Sequence, residues 1–204
     1  MQDLAASLPA RLLGPGEGRH ALDLCAAPGG KSLQLAAAGW NVTALDISKR
    51  RLELLRDNLK RTGLKAGIVR ADALAWEPKH RFDAILLDAP CTATGTARRH
   101  PDVLHRVRAR DIAEMAELQT ALLARAHDWL KPGGVLVYAT CSIEREEGED
   151  PAEAVTLDPL PVAPDELPEA LAPTAQGWVR TDPGMLADEG GLDGFFIARW
   201  RKPT

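Results

Sequence analysis

No stretch of this 204-residue chain is apolar over the roughly 18 residues that a membrane-spanning helix needs. The opening MQDLAASLPARLLGPGEGRH lacks the basic start and apolar core of a secretory leader. Cysteine is scarce: Cys25, Cys91 and Cys141 form an odd set with no CxxC pair and no matching histidine spacing. That argues against a disulfide framework and a structural zinc site, and predicts reduced thiols in a cytoplasmic, metal-free protein. Internal repeats are missing. The common phosphate-binding glycine patterns are missing too, since AAPGGK (26–31) is neither GxGxxG nor GxxxxGK[ST], which leaves little support for a dinucleotide or a nucleoside triphosphate. A strong overall charge is also lacking, but the net −4 hides a division. Residues 1–142 carry +5 and residues 143–204 carry −9, so a nucleic-acid partner for a local basic surface remains open.

What is present is an alternation. Short apolar runs at His20–Cys25, Asn41–Asp46, Ala66–Arg70, Phe82–Asp88 and Val135–Thr140 predict five strands. Between them, SLQLAAAGW, Lys49–Thr62 and Asp111–Leu130 have helical spacing; Ser48 is a candidate N-cap and Gly63 a natural stop. This predicts one α/β domain over 1–204, with a mainly parallel sheet and helices on both faces. Trp178–Thr181 and Phe195–Trp200 predict a closing antiparallel hairpin. Residues 150–177, rich in Pro, Ala and acids and without a period, read as a long surface excursion.

In an open parallel sheet, ligands bind beyond the carboxyl ends of the strands. Those ends here are Cys25 with its glycine turn, Asp46, Asp72, Asp88 and Thr140-Cys141. One acid at a strand end is unremarkable, but this repetition is difficult to explain by packing. Gly29 and Gly30 let backbone approach a ligand, the helix start beyond them favours a negative group, and Asp46 is placed to grip ribose hydroxyls. A nucleoside carrying a carboxylate, S-adenosylmethionine, fits better than one carrying phosphates. The bland alternatives are a solvated lysine at position 31, a capping acid at 88 and a packed thiol at 91.

AAPGGK (26–31), DAPC (88–91) with its TG-containing loop, and YATCS (138–142) resemble the signatures of the Sun-type RNA cytosine-C5 methyltransferases, in their bacterial ribosomal-RNA branch. Gln2-Asp3, RRHPD (98–102), EEGE (146–149) and DGFFIA (193–198) are similar to further segments of that family. The resemblance implies a class I S-adenosylmethionine-dependent methyltransferase fold, Rossmann-like, acting as a monomer on RNA. It implies Cys141 as the nucleophile, Cys91 as the group assisting proton loss and adduct release, and Asp88 and Lys31 beside them. Cys25, Ala26, Ala27, Pro28, Gly29, Gly30, Lys31, Asp46, Arg51, Asp72 and Asp88 are the implied cofactor set. Arg98, Arg99, His100, Arg106, Arg108 and Arg110, with His105, are expected to face RNA. Without the resemblance the choice of attacking thiol stays open, because DNA cytosine-C5 methyltransferases use a Pro-Cys like Pro90-Cys91. Family members usually carry a further N-terminal RNA-binding region, so a catalytic domain alone is expected here. The rival readings are a non-catalytic RNA-binding or ribosome-assembly module that kept the fold, and a methyltransferase for a small molecule or protein.

Overall fold

The computed structural model describes residues 2–204. Asp3 caps α1 (Leu4–Arg11), its carboxylate accepting the Ala5 N–H at 2.9 Å. There follow β1 (His20–Leu24), α2 (Gly30–Ala37), β2 (Asn41–Asp46), α3 (Lys49–Thr62), β3 (Gly67–Arg70) and β4 (Phe82–Asp88). The chain continues with α4 (Val103–Arg106), α5 (Ala109–Trp129), β5 (Leu130–Thr140), α6 (Glu149–Glu153), β6 (Asp158–Pro159), β7 (Val179–Thr181) and β8 (Phe195–Arg201).

The strands form one eight-stranded sheet in the order β3-β2-β1-β4-β5-β8-β6, with β7 also paired to β8. β1 to β5 run parallel to one another, and β8 runs antiparallel to β5, β6 and β7. The expected α/β sheet and its closing hairpin are therefore both present. Ser48 and Gly63 bound α3 as expected, the glycine in the left-handed region.

Side chains alternate across the strands, and each face has its own cover. Leu22, Leu24, Ile85, Leu87, Leu136 and Tyr138 share one cluster with Leu122, Leu123, Ala126 and Trp129 of α5. Ala21, Ala84, Leu86, Val137 and Ala139 share the other with Leu8 of α1 and Leu35 of α2. Burial on both faces is why Ala84–Leu87 reads as a continuous apolar run. The chain winds β1–β2–β3 to one side and β4–β5 to the other, which opens a crevice between β1 and β4.

Residues 150–177 run over the surface, most of them exposed, but the segment is pinned to the sheet at a few buried points. Ala152 and Leu157 are buried on the α5 side, and Val162, Leu167 and Leu171 on the α1 side. Arg199 of β8 fastens the segment by donating to the carbonyls of Leu160 and Pro161 and to the Glu166 carboxylate, and it reaches the Leu12 carbonyl as well. Single apolar residues at irregular intervals, held by one distant arginine, carry no period to be read. Helix α1 was likewise not expected from the sequence.

Candidate active site

Register places the chemistry. Leu24 pairs with Leu87, so Cys25 emerges beside Asp88. Asp88 pairs with Ala139, so Cys91, three residues on, and Cys141, two residues on, leave the sheet side by side. Their sulfurs lie 3.4 Å apart, within hydrogen-bond reach, and both thiols are free.

Direct hydrogen bonds fix the two loops together. The Ala89 N–H donates to the Ala139 carbonyl at 2.9 Å, the Gly95 N–H to the Cys141 carbonyl at 3.1 Å, and the Ile143 N–H to Thr94 Oγ1 at 3.1 Å. A Cβ at Gly95 would lie 2.1 Å from the Gly194 carbonyl oxygen, so only glycine allows this approach.

Lys31, on the first turn of α2, is not a solvated lysine: it is 9% exposed and donates to Asp88 Oδ2 at 2.8 Å. Its ammonium also lies 5.5 Å from the centre of the Phe195 ring, within cation–π range. Burial works against the charge, but Asp88 outweighs it and holds the ammonium above its usual range. The Cys141 thiol is pulled below its ordinary value, first by the hydrogen bond from Cys91 and then, against burial and Asp88, by Lys31. Cys91 is pushed well up by that same hydrogen bond and by burial. The environment thus favours the anion at Cys141 over Cys91. Cys25 is different: burial, with Asp46 and Asp88 behind it, pushes its thiol up to about 12, which leaves it protonated and unreactive.

The glycine turn is shaped by side chains holding backbone. Asp46 Oδ2 accepts the Ala27 N–H at 3.1 Å and Oδ1 the Ser48 N–H at 2.8 Å. Arg51 donates to the Ala27 carbonyl, and Asn58 to that of Pro28 at 3.2 Å. Gly29 has φ 103°, and a Cβ there would meet Leu55 Cγ at 2.9 Å. Asp46 is 3% exposed, and each oxygen already takes one backbone donor, leaving one lone-pair direction apiece for a ligand.

Two cavities open beside this turn. One, of about 250 Å³, is lined by Cys25, Asp46, Asp72 and an apolar wall that includes Ile47, Leu74 and Leu122. The other, of about 340 Å³, is lined by Asp23, Ala26, Gly30, Lys31, Asp88 and Arg99, among others. A flat base against an apolar wall, a ribose near the acids and a zwitterionic tail near Lys31 and the start of α2 fit this pair. Asp23, at the floor, is fully buried, and burial pushes its carboxyl up to about 7 despite the hydrogen bond from Ser32. Its Oδ1 has no partner.

The arginines expected at the RNA surface are mostly engaged. Arg98 pairs with Asp3 at 3.0 Å and with Asp193 at 3.5 Å, and Arg99 grips Asp193 with two nitrogens. They tie α1 and the loop after Cys91 to the chain just before β8. Arg106 pairs with Asp102 at 2.9 Å and Arg110 with Asp111 at 3.4 Å. Both are exposed pairs of the kind worth little, so a phosphate can displace the acid. Arg108, His100 and His105 are exposed, and Arg108 makes no ion pair among the described residues.

Sequence reading left three groups without a role. Glu147 lies in the acidic EEGE run and is 0% exposed. Gln119 donates to the Pro90 carbonyl at 2.8 Å, behind Cys91. Asp193 anchors both arginines. Only Glu147 had a signal, since an acid near a thiol motif is conspicuous, but nothing local shows that it turns inward.

A sheet of this order, opened at β1 and β4, with a glycine turn after β1 and an acid ending β2, defines the class I S-adenosylmethionine-dependent methyltransferase fold. Within that class the chain belongs to the family described as 16S rRNA methyltransferase RsmB/F, which matches residues 10–201. It is 46% identical over 204 residues to the ribosomal RNA small subunit methyltransferase B of Salmonella typhi, covering 98% of this chain and 46% of that protein. The protein of the same name from Shewanella oneidensis is 42% identical, covering 100% of this chain and 48% of that one. The chain also superposes on the crystal structure of NSun6 from Pyrococcus horikoshii with SFG at TM-score 0.83 and 32% identity, covering 100% of this chain and 53% of that one. It thus spans about half the length of the curated relatives it matches.

Proposed function

We propose that the chain transfers a methyl group from S-adenosylmethionine to carbon 5 of cytosine in RNA, with ribosomal RNA the substrate and the cytoplasm its place of action. The observation that carries this is the pair of unlike thiols at 3.4 Å beside the Lys31–Asp88 ion pair. A methyltransferase acting on a more nucleophilic atom has no use for such a pair.

Cytosine C5 is a poor nucleophile, and addition of a thiolate at C6 makes it enamine-like. Cys141 attacks, forming the S–C6 bond, and the electrons of the C5–C6 double bond become available at C5. When bound, S-adenosylmethionine supplies the electrophilic methyl group there. Asp46 and Asp72 hold its ribose side, and the turn from Ala26 to Gly30 holds its amino-acid end, with Arg51 bracing Ala27. Asp88 receives the cytosine amino edge, and Lys31 keeps negative charge favourable at both Asp88 and Cys141. Once Cys141 is held in the S–C6 bond, Cys91 releases its own proton to solvent and, as thiolate, takes the proton from C5. The C–H electrons then restore the C5–C6 double bond and expel Cys141 as thiolate. The base leaves its stack to reach this crevice, with Arg106, Arg108 and Arg110 along the approach and Arg98 and Arg99 bracing its wall.

The test is transfer of a labelled methyl group to unmodified ribosomal RNA, with the site read by bisulfite sequencing. Cys141→Ala should abolish the label, and Cys91→Ala should leave a covalent protein–RNA adduct. The opposite pattern would exchange the two roles, and activity that survives ribonuclease treatment would exclude RNA as substrate.

A further inference from the structure

Glu147 is a buried acid without a cation. It is 0% exposed, and none of the ion pairs among the described residues includes it. Burying an unpaired carboxylate is strongly unfavourable unless hydrogen bonds satisfy it. They do so here. Oε1 accepts the Thr92 N–H at 2.8 Å and Gln119 Nε2 at 3.3 Å. Oε2 accepts the Ser142 hydroxyl at 2.6 Å and the Thr92 hydroxyl. Four donors converge on two oxygens, the arrangement an anion wants.

Two of the partners are informative. Thr92 follows Cys91 and Ser142 follows Cys141, so one carboxylate holds the residue after each thiol. Its own position is fixed independently, because the Glu147 carbonyl accepts the Tyr138 hydroxyl at 2.7 Å and Thr140 Oγ1 at 3.1 Å at the end of β5. That is more restraint than packing a short turn requires.

We propose that Glu147 is the positioning residue of the thiol pair. Its carboxylate clamps the Cys91 loop to the Cys141 loop and sets a fixed negative charge on the Cys91 side, leaving Cys141 as the sulfur free to attack. This rests on the covalent reading above and deepens it. Two cysteines are chemically identical, so something in the fold must make them unequal. Glu147 disfavours an anion at Cys91, and Lys31 favours one at Cys141. An acid on one side and a cation on the other break the symmetry, so the proton shared between the two sulfurs stays on Cys91; the 3.4 Å separation suits either donor, and the charges choose it.

The experiment is iodoacetamide alkylation of the full chain across pH, with the two cysteine peptides followed separately by mass spectrometry. Glu147→Gln keeps the clamp and removes the charge: its oxygen still accepts both N–H donors, and its amide donates to two hydroxyls that can rotate. Glu147→Ala removes both. In the unmodified chain Cys141 should react about tenfold faster than Cys91 near neutral pH. E147Q should narrow that ratio to about threefold and raise the pH of half-maximal Cys141 reactivity, and E147A should abolish the preference. S-adenosylhomocysteine binding, measured by calorimetry, reports whether each variant is folded. An E147Q chain that binds this ligand and keeps the original ratio and pH profile overturns the proposal, whatever E147A does. An unmodified chain whose thiols react alike would sink the assignment of Cys141 as nucleophile and this proposal with it, a failure visible before any variant is made.

Discussion

At the β1–β2 end of the carboxyl edge, side chains grip backbone. Asp46 holds two N–H groups, and Arg51 and Asn58 hold two carbonyls, all within a turn of six residues and the helix beside it. At the β4–β5 end, side chains grip one another across some fifty positions of sequence, Cys91 with Cys141 and Thr92 with Glu147, which also holds the nearby Ser142. The first arrangement makes a shaped hollow, and the second brings two thiols together. The two ends should therefore fail differently when disturbed, one in binding and the other in chemistry.

The largest effect expected at the chemical end is from Cys141→Ala, which should lower methyl transfer by at least about 10³-fold while leaving cofactor affinity near its original value. A parallel loss of affinity in calorimetry would erase the division between the ends. Lys31→Met comes next. It removes the cation facing Cys141, so turnover should fall about 10²-fold. The thiol, no longer pulled down, should need a higher pH, and the rising limb of the pH–rate profile should move upward; a profile that stays in place would mean Lys31 acts elsewhere. Asp46→Asn tests the binding end. An amide cannot accept both backbone donors, so the cofactor dissociation constant should rise about tenfold with little change in saturated turnover. A fall in saturated turnover at unchanged affinity would reverse the roles of the two ends.

Smallest is Asp23→Asn, at the floor between them. The Asp23 carboxyl is raised in the folded chain from 3.8 to about 7, so its favourable contribution is complete below the lower value and is lost as pH rises through the upper one. The melting temperature of the unmodified chain should therefore fall between pH 5 and 8. The asparagine variant should flatten that slope by about 2–4 °C, as read by scanning calorimetry.

The same division decides how much could be read from the sequence. The strands, the sheet class and the glycine turn were legible because hydrophobic alternation and AAPGGK are local signals. The thiols were visible as residues, but their pairing was not, since it depends on the register between β4 and β5, and neither was the arrival of Glu147 and Lys31 beside them. Arg98 and Arg99 looked like nucleic-acid contacts because Asp193, nearly a hundred positions away, leaves no trace beside them. Residues 150–177 looked loose because Arg199, which fastens them, belongs to the last strand.

The meeting of Gly95 with Gly194 has a consequence in time. The Gly194 N–H donates to the Gly95 carbonyl at 2.7 Å, directly over the loop that carries Cys91, while the Gly95 N–H holds the Cys141 carbonyl. As the chain leaves the ribosome, both thiols emerge well before residue 194 and β8. The loop between them gains this brace only when the final hairpin closes. In a nascent chain the two thiol loops are therefore made before the segment that braces them, and β8 completes the site.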